Sequence, residues 1–402
     1  MERDAERIDR LTAALGAANL DALCCRLPHN VLLLTGYWPM LGTAIALLTR
    51  DGDLALLVPE DEHLLARHGW VDDARITLFS PSTLDHLGNG NKAARSLLAE
   101  AGRRLGLARA AVGYEGQFGF APVPYVALAT GTGTSLDLYK MALPDTDFWD
   151  ATVLLDEQRA TLTARELTAA ARACAVAEQA FRAARRAIRL GATEAQVAAA
   201  AQTRLEIAGL REPLVQRAGG RAFCMSGPRS ADAYRAYALT SDRPLQSGDF
   251  VLVHVNSYVD GFWTDLTRTY FLGEPSGRQL AMYEAVFEAR SRAFRVVGDG
   301  VPAAAVDAAA RDHLTAAGFG AAFKHQLGHG VGYGAIYHGN QPRLHPCSED
   351  VLHGGMVCNI EPAVYIDGFG GLRHCDDVAV LPTGMQLLSP FHASLADLLI
   401  AD

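Results

Sequence analysis

At 402 residues, half of them apolar, the chain can build two domains of ordinary size, each with its own core. A net charge of -9 without any basic cluster excludes a nucleic-acid partner, which requires a Lys/Arg footprint. No apolar run reaches the roughly eighteen residues of a membrane span. The seven cysteines, odd in number and without a CxxC pair, point to a reduced, cytoplasmic setting.

The N-terminus, MERDAERIDRLTAALGAANL, is charged and helical in period over about 4–18, and lacks the apolar stretch of a signal peptide. DALCC, VLLLTGY, TAIALLT and DLALLVP follow as short apolar runs broken by turns and read as strands. PSTLDHLGNGNK reads as a loop, 92–104 as a helix and AAVGYE as a strand, so residues 1–153 form an α/β layer domain. Residues 154–402 form the second domain. It opens on a helix from Thr163 to Leu190 with Gly191 as its stop, then a helix from Thr193-Glu194 to Gly209. From residue 250 strands dominate, with one helix pair near 277–297 and 302–317. Neither a GxxxxGK[ST] phosphate loop nor a GxGxxG strand-to-helix turn occurs.

The chemistry-bearing residues lie in this second half. VLVHVNSYVDGFWTDLTRT reads as a hairpin turning at Asp260-Gly261, which brings His254 within a residue or two of register with Asp265. Cross-strand neighbours at about 4.5–5.5 Å can share one metal ion. His325 and His329 sit four apart in HQLGHGVGYG, and the flanking glycines permit close backbone approach. Glu361 lies in the apolar strand NIEPAVY, where a buried carboxylate requires a partner. Arg373 and Cys375 in GLRHCDD share one strand face, with His374 on the other.

Taken together, NVLLLTGY, SGD at 247–249, TDLTRT at 264–269, GHGVG at 328–332, IEP at 360–362 and RHCDD at 373–377 resemble the creatinase / Xaa-Pro aminopeptidase / prolidase superfamily. The resemblance runs over essentially the whole chain. It implies a creatinase-type α/β N-terminal domain followed by a pita-bread α+β catalytic domain, and a homodimer. That family's dinuclear site uses two aspartates, a histidine and two glutamates. Carried over by position, Asp265, His329 and Glu361 are retained, whereas His254 stands for the first aspartate and Cys375 for the last glutamate. A substrate-binding histidine of the family corresponds to Tyr237, and His338 stands for a second one after a slightly longer loop.

Two divalent ions would face only two carboxylates here, so one ion is expected. Its ligands would come from His254, Asp265, His329, Glu361 and Cys375, a nitrogen- and sulfur-rich set that favours zinc, iron(II) or cobalt over manganese. The alternative is no metal at all, as in creatinase. The expected activity is hydrolysis of a C–N bond in a small-molecule or dipeptide-like substrate. Glu361 would take the water's proton, His338 or His325 would stabilise the oxyanion, and Arg373, Trp263 and His338 would contact substrate. A lyase or ring-opening reaction with Tyr237 or His254 as base, and a non-catalytic binding role, are the competing readings.

Overall fold

The computed structural model describes residues 2–401 apart from 41, 81–89, 117–134, 210–214, 236–238 and 334–337. The chain divides into two compact units, residues 1–159 and 160–402.

The first unit is built on a six-stranded mixed sheet: β1 (Ala22–Cys25), β2 (Ile45–Thr49), β3 (Leu54–Pro59), β4 (Ile76–Phe79), β5 (Ala111–Tyr114) and β6 (Asp147–Asp150), in the order β4-β3-β2-β1-β5-β6. α1 (Ala5–Ala17) starts where the Asp4 side chain accepts from the Arg7 amide. The run VLLLTGY, expected as a strand, instead lies in α2 (Pro28–Thr35). Pro28 at the first turn and Gly36 at φ 68 bracket it, the usual start and stop of a helix. Periodicity alone cannot distinguish so short an apolar run from a buried strand. α3 (Gly90–Arg104) and α4 (Ser135–Ala142) pack against each other. α5 (Thr152–Ala160) spans the expected 153/154 boundary and is tied to the first unit, since Arg7 donates to the Gln158 carbonyl and Arg159 to Asn30. The expected loop around PSTLDHLGNGNK lies largely outside the described residues.

In the second unit, α6 (Ala164–Ala187) and α7 (Glu194–Ala208) each begin with a capping box, Thr163 with Glu166 and Thr193 with Gln196. α6 is capped at Ile188, three residues before Gly191, so that glycine serves the following turn at φ 76 rather than the helix stop. α6 packs on β8 (Phe250–Val259) and α7 on β7 (Ala218–Ser226), while α8 (Gly277–Val296) pairs with α9 (Ala303–Ala316). The main sheet also holds β9 (Phe262–Trp263), β10 (Leu266–Leu272), β11 (Gly332–Tyr333) and, far along the chain, β17 (Leu399–Ile400), in the order β11-β9-β8-β10-β17 with β7 beside β8. Two smaller sheets complete it: β12 (Val357–Ile360), β15 (Asp376–Val380) and β16 (Met385–Leu387), and the pair β13 (Ala363–Ile366) with β14 (Gly370–Arg373).

The hairpin that positions the site is regular. Val259 pairs with Phe262, Tyr258 with Trp263 and Val255 with Leu266, one unbroken register. Asp260 and Gly261 both have positive φ, 48 and 93, which defines the two-residue type I′ turn that matches strand twist. His254 consequently pairs with Thr267. By the same register Asp265 faces Asn256, one step along the same sheet face from His254.

Candidate metal centre

Asp265, His329 and His338 each offer a ligand atom, and these atoms lie within 4.8 Å of one another; among the described residues no other such group of three occurs. Asp265 enters from the break between β9 and β10, with Oδ2 3.3 Å from His329 Nε2. His329 is held by its neighbours. Its Nδ1–H donates to the Gly330 carbonyl at 3.0 Å, which leaves Nε2 with its lone pair toward Asp265. Its amide donates to Asn359 Oδ1 at 2.6 Å. A Cβ on Gly328 would fall 2.0 Å from the Asn359 carbonyl oxygen, and one on Gly330 1.9 Å from that of Gln341. The glycines flanking His329 therefore let two strands of backbone close onto it. His338 is exposed, with its ring 5.0 Å from that of His329.

Two of the five expected ligands belong to this group, and His338, expected as a substrate or oxyanion residue, is its third member. His254, Glu361 and Cys375 lie beside it, each occupied otherwise. Cys375 Sγ–H donates to the Asp265 carbonyl at 2.9 Å and accepts from Asn359 Nδ2 at 3.6 Å. Burial, with the carboxylates of Glu361 and Asp265, pushes this thiol well above its ordinary value, so it stays protonated. His254 Nε2 lies 3.1 Å from Asn256 Oδ1, while its Nδ1 faces Thr267 Oγ1 at 2.9 Å and Arg373 Nη2 at 3.0 Å. Burial lowers this imidazole to about 4, so it is neutral. Glu361 follows β12 and is met by Arg373, Nη1 to Oε2 3.6 Å. Burial pushes Glu361 up to about 7 while Arg373 pulls it down. Burial also works against the charge on Asp265, but the imidazoles of His254 and His329 and the Arg373 guanidinium outweigh it and hold that carboxyl below the ordinary range.

The expected substrate contacts also shift. Each nitrogen of Arg373 already faces an acceptor: Nε donates to Thr267 Oγ1 at 2.9 Å, Nη1 reaches Glu361 and the Ala233 carbonyl, and Nη2 reaches His254. The guanidinium is thus oriented by protein groups on all three nitrogens. His325 is closed as well. Its Nδ1 bonds the Gln326 carbonyl at 2.7 Å and its Nε2 the Tyr365 hydroxyl at 3.1 Å, an arrangement that supports Tyr365 and leaves no donor for an oxyanion. Trp263 is largely buried and lies on Tyr258, ring centroids 4.7 Å apart, as sheet packing. Tyr237 lies outside the described residues. The sequence reading passed over Asn256, Asn359 and Thr267, which fix the orientation of His254, His329 and Arg373. Asn256 and Asn359 carry a usable signal, since each lies two strand residues from a candidate, on the same face.

The donor set fits one ion. Two imidazoles and a carboxylate with one position open are what a catalytic zinc-type site uses.

The fold and this centre define a metal-dependent hydrolase. Residues 168–382 match the profile of metallopeptidase family M24, and residues 7–161 that of the creatinase/prolidase N-terminal domain. The chain belongs to metallopeptidase family M24, which implies a divalent metal cofactor, and its two domains are the creatinase-type and pita-bread domains that the motifs implied. It is 28% identical to a Xaa-Pro dipeptidase of Pyrococcus furiosus over 96% of this chain and 97% of that one. Over 195 residues, 48% of this chain and 49% of the other, it is 38% identical to a probable dipeptidase, PepE, of Mycobacterium bovis. The solved Xaa-Pro dipeptidase from Bacillus anthracis superposes with a TM-score of 0.78 at 25% identity, covering 98% of this chain and 99% of that one. No helix among the described residues is long and apolar enough to cross a membrane.

Proposed function

We propose that the 160–402 unit hydrolyses the C–N bond of a small, dipeptide-like substrate with one divalent ion held by Asp265, His329 and His338. The observation that supports this reading is the meeting of those three ligand atoms within 4.8 Å, two buried and one at the exposed edge. Zinc, iron(II) or cobalt suits two imidazoles and one carboxylate better than manganese does. When bound, such an ion supplies an acidified water and polarises a carbonyl oxygen.

The protein's own residues do the rest. The Gly330 carbonyl and Asn359 hold His329 in one tautomer. Glu361, buried beside the centre with a carboxyl that titrates near neutrality, takes a proton from water at its Oε atoms and returns it to the leaving amine. Arg373 keeps that carboxylate oriented through Nη1. Burial of Asp265 and His329 excludes bulk water behind the reacting group. Both altered ligand positions and the engaged Arg373 support a substrate preference different from that of the Xaa-Pro dipeptidases.

The test is elemental analysis of protein purified without chelator, followed by assay of a dipeptide and N-acyl amino acid panel in ¹⁸O-labelled water. One equivalent of zinc, iron or cobalt and one solvent oxygen per product are expected. An unsaturated product free of solvent oxygen would sink the hydrolase reading, and failure to bind metal after reconstitution would sink the metal reading.

A further inference from the structure

The hydrogen bonds around His254 admit one tautomer. Asn256 Nδ2 faces two acceptors, the Thr264 carbonyl at 3.3 Å and Asp265 Oδ1 at 3.4 Å, so the amide oxygen must point at His254 Nε2, 3.1 Å away. Nε2 therefore carries the proton. It also looks toward Asp265 Oδ1 at 3.7 Å, a second acceptor, which agrees. The lone pair is left on Nδ1, and Nδ1 faces Arg373 Nη2 at 3.0 Å. A guanidinium can only donate. Thr267 closes the ring of bonds: Oγ1 accepts from Arg373 Nε at 2.9 Å and lies 2.9 Å from His254 Nδ1, so the one lone pair there is shared between the guanidinium and the hydroxyl.

An ion on His254 Nδ1 would sit about 2.1 Å from that nitrogen, at the place the guanidinium already fills. Charge points the same way. Asp265 and Glu361 are the carboxylates that Arg373 and a metal ion share, and one divalent ion with Arg373 already exceeds their negative charge. A second divalent ion would leave a large uncompensated positive charge in a buried site, which is strongly unfavourable.

We propose that Arg373, held by His254 and Thr267, occupies the place of a second cation, so that the centre takes a single ion and His254 is a positioning residue for Arg373 rather than a metal ligand. The single ion rests on the metal reading above; the His254–Arg373 link does not.

Two measurements keep these apart. In ¹⁵N-histidine-labelled protein, with His254 assigned through a His254→Gln variant, the metal-free form should show the Nε2–H tautomer at His254. One equivalent of Zn²⁺ should then move the ring nitrogens of His329 and His338 and leave His254 Nδ1 in place. An Nδ1–H tautomer at His254, or an Nδ1 resonance that follows the first equivalent of Zn²⁺, overturns the proposal. If no histidine responds to Zn²⁺, the metal reading falls, and the tautomer still decides the link to Arg373. The second measurement is Co²⁺ titration of Arg373→Met, read by absorption and elemental analysis. With the guanidinium gone, His254 Nδ1 and Glu361 are released, and binding should rise from one equivalent to two, returning to one in Arg373→Met/His254→Ala. A folded Arg373→Met that still binds only one ion contradicts the exclusion. Should that variant not fold, the tautomer of the unmodified protein decides alone.

Discussion

Two buried charged regions meet around the segment that joins β14 to β15, and they differ in how tightly their carboxylates are held by cations. On one side Asp376 is fully enclosed, with Oδ1 2.7 Å from Arg268 Nη2 and 2.6 Å from Ser389 Oγ, and Oδ2 2.5 Å from Arg290 Nε and 3.4 Å from His374 Nε2. Arg268 uses its remaining donors on the carbonyls of Phe391, Thr267, Cys375 and Ser389. On the other side Asp265, His329 and His338 point at one another across gaps longer than good hydrogen bonds, with His338 exposed. Charge alone does not mark the site. A carboxylate whose two oxygens are both met by buried guanidinium groups is scaffold, and one set among imidazoles with an open edge is where a ligand belongs.

The comparison breaks most visibly at Asp376. Asp376→Ala leaves Arg268 and Arg290 buried without their anion and should cost about 3–5 kcal/mol in urea unfolding. The pH dependence has a definite sign. Burial opposes ionisation of Asp376, but Arg268, His374 and Arg290 prevail and hold its carboxyl well below the ordinary value. Its stabilisation is therefore complete above the unfolded aspartate value near ~3.9 and is lost as pH falls below it. The unfolding free energy of the parent protein should drop steeply in acid and that of Asp376→Ala much less. Equal acid sensitivity in both would break the assignment.

At the open region the expected effect is on binding and rate. Asp265→Ala removes a ligand itself, so metal affinity and turnover should fall more than the ~10–100-fold typical of an outer-sphere change, with the unfolding midpoint little altered. Asn359→Ala, which removes contacts to His329 and Cys375 but no ligand atom, should stay inside that range. A loss at Asn359 as large as at Asp265 would mean that the centre has been drawn around the wrong residues.

Much of this contrast was legible in the residues. The Asp260-Gly261 turn fixed the hairpin register, and with it the shared face of His254, Asn256 and Asp265. Arg268, in TRT beside Asp265, is fully buried. The roles of Arg373, Cys375 and His254 were not legible. Each depends on which neighbour completes its bonds, and those neighbours come from segments distant in sequence: Thr267 for Arg373, the Asp265 carbonyl for Cys375, Arg373 for His254. α2 has a simpler reason, since the four-residue apolar run Val31–Leu34 is too short to decide between helix and strand.

Gly330 offers an intermediate test. Its missing side chain lets the Gln341 carbonyl approach to where a Cβ would be only 1.9 Å away, and backbone cannot swing aside as a side chain can. Gly330→Ala should cost about 1–3 kcal/mol as an overpacking change and shift His329 enough to weaken metal binding. Because Gly330 contributes no ligand atom, a variant with unchanged metal affinity would show that His329 tolerates displacement, and the argument from close backbone approach would fail.

The smallest expected effect lies at Asp377, one residue from Asp376 and chemically identical to it. Asp377 is as deeply buried, yet among the described residues Oδ1 has no partner, and Oδ2 has the Cys174 thiol at 3.8 Å and the Asp265 amide at 3.4 Å. Burial, with Asp265 nearby, pushes its carboxyl well above the ordinary value, which favours the neutral acid. An amide of the same shape then replaces a neutral group with a neutral group. Asp377→Asn should change stability by less than about 1 kcal/mol, against several for its neighbour. A loss as large as that of Asp376→Ala would mean that Asp377 is ionised and paired in solution, and the division between a closed and an open side of this strand would have to be redrawn.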